Sequence, residues 1–101
     1  REAKLGRASL RGADLGRALL EGADLSGANC ENADFTKSDL RRATLLGGNC
    51  GGARFTKAQL DRADARNANF YEAELWLATR RGLKLDGAHV AASKLEGETH
   101  V

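Results

Sequence analysis

The sequence predicts an all-β repeat fold in which the chain turns a corner every five residues. Three observations lead there. Every fifth residue from Leu5 to Leu75 is apolar without a gap, and the series returns at Leu85, Val90 and Leu95 after failing at Arg80. Two residues before nearly all of these stands a small side chain, usually Ala, with Ser38, Gly48 and Ser93 as variants and Leu83 as the first large exception. The two residues after each apolar one are rich in Gly, Arg, Lys, Asn and Glu, as in GG at 51–52, RR at 41–42 and EN at 31–32, which suits an exposed turn.

Neither regular element uses this pattern. An α-helix turns every 3.6 residues, so an apolar period of five wanders around its surface and buries no single face. A long flat strand has a period of two and sends alternate apolar residues to opposite sides. A short extended segment closed by a corner uses it fully: the large residue and the small one two before it both point inward.

Taken in order, the units are regular from Ala3 to about residue 78. Within that run GANCENADF at 27–35 and GGNCGGARF at 47–55 place Cys before Phe twice, twenty residues apart. WLATRRGLKL at 76–85 departs from the rule. An unpaired buried charge at Arg80 is too costly for the inward column, so a bulge or distorted turn is expected near 79–84. Residues 85–101 read as a degenerate last coil or cap, and residues 1–101 as a single domain.

The units ADLGR, ADLSG, ANCEN, ADFTK and ARFTK resemble the A(D/N)LXX units of pentapeptide-repeat proteins. The resemblance covers roughly residues 3–95. It implies a right-handed quadrilateral β-helix, a β-solenoid with four pentapeptides per coil and about five coils, which at the strand spacing of about 4.8 Å makes a rod about 25 Å long. With twenty residues per coil, residues n and n+20 become vertical neighbours. The inward columns are then Leu5, Leu25, Leu45, Ala65 and Leu85; Leu10, Cys30, Cys50, Phe70 and Val90; Leu15, Phe35, Phe55, Leu75 and Leu95; and Leu20, Leu40, Leu60 and Arg80. Phe35 and Phe55 are expected to stack with offset rings. Outside, Asn29, Asn49 and Asn69 form a polar ladder, and Glu21, Arg41, Asp61 and Arg81 alternate in sign.

Sixteen basic against fourteen acidic residues leave a net charge of +2, which neither demands nor excludes a nucleic-acid partner. No apolar run approaches the eighteen or so residues of a membrane helix, and no leader-like run precedes the repeat; a soluble chain with no membrane partner is expected. The sequence has no Met and is in phase by Ala3, as expected of a processed product or a segment of a longer protein. The N-terminal coil has no distinct cap, so association, covering by further chain or deterrent charge is expected there.

Catalytic and metal chemistry find no convergent groups. Cys30 and Cys50 point inward, while His89 points outward about two coil spacings, or 10 Å, from Cys50, far from the ligand distances of about 2.0–2.3 Å that zinc requires. In-register stacking holds the two Cβ atoms about 4.8 Å apart, beyond the usual disulfide range. Buried reduced thiols are the better reading, and they suit a reducing compartment such as the cytoplasm. His100 lies beyond the regular pattern. GGNCGG lacks the Gly-Lys-Ser/Thr ending of a phosphate loop. No enzyme activity, cofactor or metal is expected.

Two surface features remain. Arg17, Lys37 and Lys57 form a like-charged ridge, continued around the next corner by Arg42 and Arg62, with Arg66 one corner further on. Like charges held about 5 Å apart repel one another and favour an anionic partner; a solvated face is the plainer reading. Tyr71, Trp76 and Leu77 fall at corners, where the pattern predicts solvent, and an exposed apolar patch marks a contact surface. A C-terminal segment folded over Trp76, a dimer or partner contact, and plain exposure are the three readings.

The function expected is a non-enzymatic structural scaffold or protein-interaction module, presenting a rigid rod to an unknown protein partner or to a second copy. The resemblance also implies an alternative, DNA-mimic inhibition or protection of a type II topoisomerase. That activity relies in the family on a markedly acidic dimer, and the +2 charge and the basic ridge disfavour it. Direct nucleic-acid binding along the ridge is disfavoured because no aromatic residue is interleaved with it to stack bases.

Overall fold

The backbone hydrogen bonds explain the period of five. In the computed structural model, which describes residues 3–93, each five-residue unit has one amide for each of five tasks. The amide of the large inward residue bonds across to the next coil, as Leu5 N to Asp24 O at 2.7 Å and Phe35 N to Arg54 O at 2.7 Å. The second corner residue does the same, as Arg7 N to Ser26 O at 2.8 Å. The amide after it closes the turn on the large residue's own carbonyl, as Ala8 N to Leu5 O at 3.0 Å. The middle residue of the next segment reaches back to the preceding coil, as Asn29 N to Ala8 O at 2.9 Å.

The fifth amide, on the first corner residue, has no backbone acceptor in this scheme. Where the middle residue is Asp or Asn, its side chain accepts that bond from two residues on: Asp24 Oδ1 from Ser26 N at 2.9 Å, Asp34 Oδ1 from Thr36 N at 2.9 Å, Asn49 Oδ1 from Gly51 N at 3.1 Å, Asn69 Oδ1 from Tyr71 N at 2.9 Å. The second letter of the repeat unit thus satisfies the donor that the coil leaves over.

Every corner turns through a left-handed residue. Its second residue has φ near +60°, as in Arg7, Arg17, Lys37, Lys57 and Leu77, or is a Gly with φ of 63–73°. A positive φ at the third residue of a four-residue turn, closed by a bond from the fourth amide to the first carbonyl, is type II geometry.

Parallel bridges join n with n+20 from Lys4↔Asp24 to Asn69↔His89, so the twenty-residue stacking holds across the described residues, with Arg80 turned outward and Leu95 outside them. The extents are 34 × 24 × 20 Å. The core is the axis of the rod: the Ala residues from Ala23 to Ala73, Ser38, and the large residues from Leu25 to Phe70 are buried, whereas Leu5, Leu10, Leu15, Leu85 and Val90 toward the ends are half-buried. The Phe35 and Phe55 rings stack with centroids 4.9 Å apart and planes 1° from parallel, and Phe70 meets Phe55 edge-on at 5.7 Å. Cys30 and Cys50 are buried free thiols, and the Cys30 sulfur together with burial pushes the Cys50 thiol well above its ordinary value.

The bulge expected near 79–84 is not there. Thr79 and Lys84 bridge to Gln59 and Asp64, and Leu83 N closes the turn on Arg80 O at 3.1 Å. Main-chain pairing carries the coil through, and Arg80 avoids the burial penalty because its side chain is exposed. Leu95, His100 and the expected C-terminal cap over Trp76 lie outside the described residues, apart from the stretch 85–93, which continues the coil.

Candidate interaction surface

The register places the basic ridge and the Trp76 patch on one corner. Arg17 N bonds to Thr36 O at 2.8 Å, Lys37 N to Thr56 O at 2.9 Å and Lys57 N to Trp76 O at 2.8 Å. Each step puts one corner directly over the next. The exposed column is therefore Arg17, Lys37, Lys57, Leu77, with Gly16, Thr36, Thr56 and Trp76 beside it. Trp76 is 58% exposed and Leu77 44%. Along the sequence, ridge and patch look like separate features; twenty-residue stacking joins them.

Tyr71 stands apart. Gly52 N bonds to Tyr71 O at 2.8 Å, which sets it on the neighbouring corner, across the segment Ala73–Leu75 from Trp76. There it packs against His89, with ring centroids 5.6 Å apart. The three residues share a level of the rod but form no single patch.

Arg42 and Arg62 occupy the next corner, as Arg42 N to Asp61 O at 3.0 Å and Arg62 N to Arg81 O at 2.7 Å show. Arg42 reaches Glu21 at 3.4 Å. Arg41 grips Asp39 with two bonds of 2.8 and 2.6 Å and reaches Glu21 at 3.5 Å. Arg66, one corner further, is held by Asp64 in the same two-pronged way at 2.8 and 2.7 Å. Hydrogen bonds from Arg41 and Arg66 hold the Asp39 and Asp64 carboxyls below the usual range, and bonds from Thr36 do so for Asp34. Among the described residues, Arg17, Lys37, Lys57 and Arg62 make no ion pair.

Two elements of this surface escape sequence reasoning. Leu19 is 87% exposed. It stands as a middle residue, stacked on Asp39 and then Gln59 in the following coils, and a Leu in a slot that otherwise holds only polar residues from Lys4 to His89 is the signal that could have found it. The second is a shallow hollow of about 360 Å³ lined by Asp61, Arg62, Thr79, Arg80 and Arg81. The Asn ladder is partial: Asn69 Nδ2 donates to Asn49 Oδ1 at 3.0 Å, and no such side-chain bond joins Asn49 to Asn29 among the described residues. The alternating charge column closes once through the main chain, Arg81 N donating to Asp61 Oδ1 at 2.9 Å. Among the described residues no cluster of His, Cys, Asp and Glu is placed to hold a metal ion, and no helix is long and apolar enough to cross a membrane.

The family profile described as pentapeptide repeats matches residues 3–42 and 49–78 in eight copies. The coil seen in the structure continues past that match to residue 93. No curated protein matches the chain. Among solved structures, a pentapeptide repeat protein from the thylakoid lumen of Arabidopsis thaliana is similar with a TM-score of 0.90 at 23% identity, over 93% of this chain and 66% of that one. Rfr23, a pentapeptide repeat protein of the cyanobacterium Cyanothece 51142, aligns with a TM-score of 0.65 at 28% identity, over 92% of this chain and 58% of its own. HetL of Nostoc sp. strain PCC 7120, a pentapeptide repeat protein involved in heterocyst differentiation regulation, aligns with a TM-score of 0.50 at 28% identity, over 96% of this chain and 49% of its own. The chain thus spans about half to two thirds of the length of these structures. Their shared architecture is the right-handed quadrilateral β-helix.

Proposed function

The chain belongs to the pentapeptide-repeat family, and on that premise we propose that it is a non-enzymatic interaction module, a rod of about five coils that docks to a protein through the Trp76 corner. One observation carries the reading. Trp76 and Leu77, 58% and 44% exposed, stand side by side on the corner that continues the cation column. Adjacent exposed apolar side chains of this size support a contact role there. The cations of the same column, Arg17, Lys37 and Lys57, extend the contact along the rod, and Arg42 and Arg62 border it on the next corner.

A DNA-mimic reading finds less support. Mimicry of duplex DNA needs a predominantly acidic surface, whereas this chain carries +2 overall and sets in one line three cations that make no ion pair among the described residues. A supercoiling assay with a type II topoisomerase would show no inhibition at high protein excess.

Photocrosslinking tests the interaction reading. A benzophenone amino acid placed at Leu77 is expected to capture a partner, or a second copy, in extract of the source cell, and the same probe at exposed Ser9 is expected to capture far less. Equal capture at the two positions would sink the proposal. Light scattering on wild type and Trp76→Ala separates a second copy from a different protein: a monomer in both argues against a dimer at this corner.

A further inference from the structure

The register sorts the charge of the rod by side. One face has Leu19, Asp39, Gln59 and Thr79 down its middle and comprises residues 16–22, 36–42, 56–62 and 76–82 with their two flanking corners. It holds eight cations against three carboxylates, a net of +5. The other described residues hold six cations against eight carboxylates, a net of −2. The overall +2 of the chain conceals this division.

The cations stand in two rails. Arg17, Lys37 and Lys57 line one edge at the coil spacing of about 4.8 Å. Arg41, Arg42 and Arg62 line the other, and at one end the hollow adds Arg80 and Arg81. Of the three carboxylates on this face, Asp39 is already held by Arg41 and Glu21 by Arg41 and Arg42. Exposed apolar side chains bound the face at both ends: Leu19 on the first coil, Trp76 and Leu77 on the fourth.

We propose that this face binds a short acidic protein segment flanked by apolar residues, lying along the rod with its carboxylates between the rails and its apolar ends on Leu19 and on Trp76 with Leu77. The proposal rests on the interaction-module reading and names its partner's chemistry. The dimensions agree. Three coil steps from Leu19 to Thr79 span about 14 Å, and at about 3.3 Å per residue an extended stretch of about four or five acidic residues covers that length. A nucleic acid fits less well, because only one end of the face offers an indole for stacking bases, whereas apolar side chains stand at both ends. Charge complementarity of this kind governs the encounter rate and the choice of partner.

Fluorescence anisotropy tests it, with a fluorescein-labelled peptide of about five Glu and Asp residues flanked by Leu and Phe as the probe. Two triple variants carry the same change in net charge. Lys37→Glu with Lys57→Glu and Arg62→Glu alters the proposed face; Arg7→Glu with Arg54→Glu and Lys84→Glu alters the others. Far-UV circular dichroism checks that both retain the coil. The first is expected to weaken binding by about tenfold or more and the second by less than about threefold, and wild-type affinity is expected to fall as salt rises. Equal losses in the two variants, or no binding by wild type, overturn the proposal. So does tighter binding of an oligothymidylate or of phosphatidylserine vesicles than of the peptide, since the occupant is then of another class. Crosslinking at Leu77 fails or succeeds independently of this peptide, so the two readings fall separately.

Discussion

Replacing Phe55 by Ala is expected to be among the most damaging single changes in the rod. Its ring is fully buried, lies 4.9 Å from Phe35 in a parallel stack and meets Phe70 edge-on at 5.7 Å. Phe→Ala in a core costs about 3–5 kcal/mol through the forfeited transfer energy and the cavity left behind. Aromatic pairing adds about 0.5–1.5 kcal/mol per ring pair beyond burial. Because the substitution removes Phe55 from both the stacked and the edge-on pair, the upper part of the range applies, about 4–5 kcal/mol, against a total stability of about 5–15 kcal/mol for a domain of this size. The neighbouring coils have little freedom to close the gap, because their backbones are fixed by hydrogen bonds on both sides. Urea unfolding followed by circular dichroism and by the fluorescence of Trp76, the chain's single Trp, measures the loss. Coincidence of the two probes also tests whether the solenoid melts as one unit. Leu15→Ala, on a half-buried end coil, is the comparison. A Phe55→Ala loss no greater than that of Leu15→Ala would refute the reasoning, since the stacked axis would then not be the source of stability.

Ser38→Ala is expected to stabilise the rod by about 1 kcal/mol, because the Ser38 hydroxyl is buried without a hydrogen-bond partner and its column neighbours Ala18 and Ala58 already carry the methyl group; a lower urea midpoint would contradict this. Asp34→Ala is expected to lose about 1 kcal/mol by leaving the Thr36 amide without its acceptor, while Asp34→Asn, which keeps the oxygen, stays near wild type in the same titration. Because the Asp24, Asp34, Asp39 and Asp64 carboxyls titrate lower in the fold than in the open chain, the stability they contribute is complete above about pH 5 and is lost as pH falls through about 4 and below. Thermal melts across that range check the sign. Leu77→Gly relieves the left-handed strain and is expected to raise stability by up to about 1 kcal/mol after the added freedom of the unfolded chain is subtracted; a destabilised variant would mean that Leu77 is structural.

The inward residues are legible because a period of five with Ala two places earlier admits one economical use. Phe35 over Phe55 follows from the twenty-residue spacing alone. The task of Asp24, Asp34 and Asp64 is not legible in the same way. It emerges only once four of every five amides have been assigned and the corner amide is left over. The left-handed corner is half-visible: seven glycines mark it, but Arg, Lys, Asn, Glu, Leu and Ala occupy the same slot elsewhere and hide it. The bulge expected at Arg80 does not form because main-chain pairing continues on both sides of the residue and its side chain turns to solvent.

Spacing along the chain is enough to set the period, the inward columns, the level of each residue along the rod, and the absence of a regular pattern that helix or flat sheet can use. These are one-dimensional properties, and a solenoid converts spacing along the chain directly into height. How far each side chain is exposed, and what it meets, came from the folded coils. They left Leu19 87% exposed, turned Arg80 to solvent, set Tyr71 against His89, and paired Arg41 with Asp39 and Glu21 while Lys37 and Lys57 make no ion pair among the described residues. The physical reason is that spacing along the chain sets level and column, whereas exposure and pairing depend on side-chain contacts between coils.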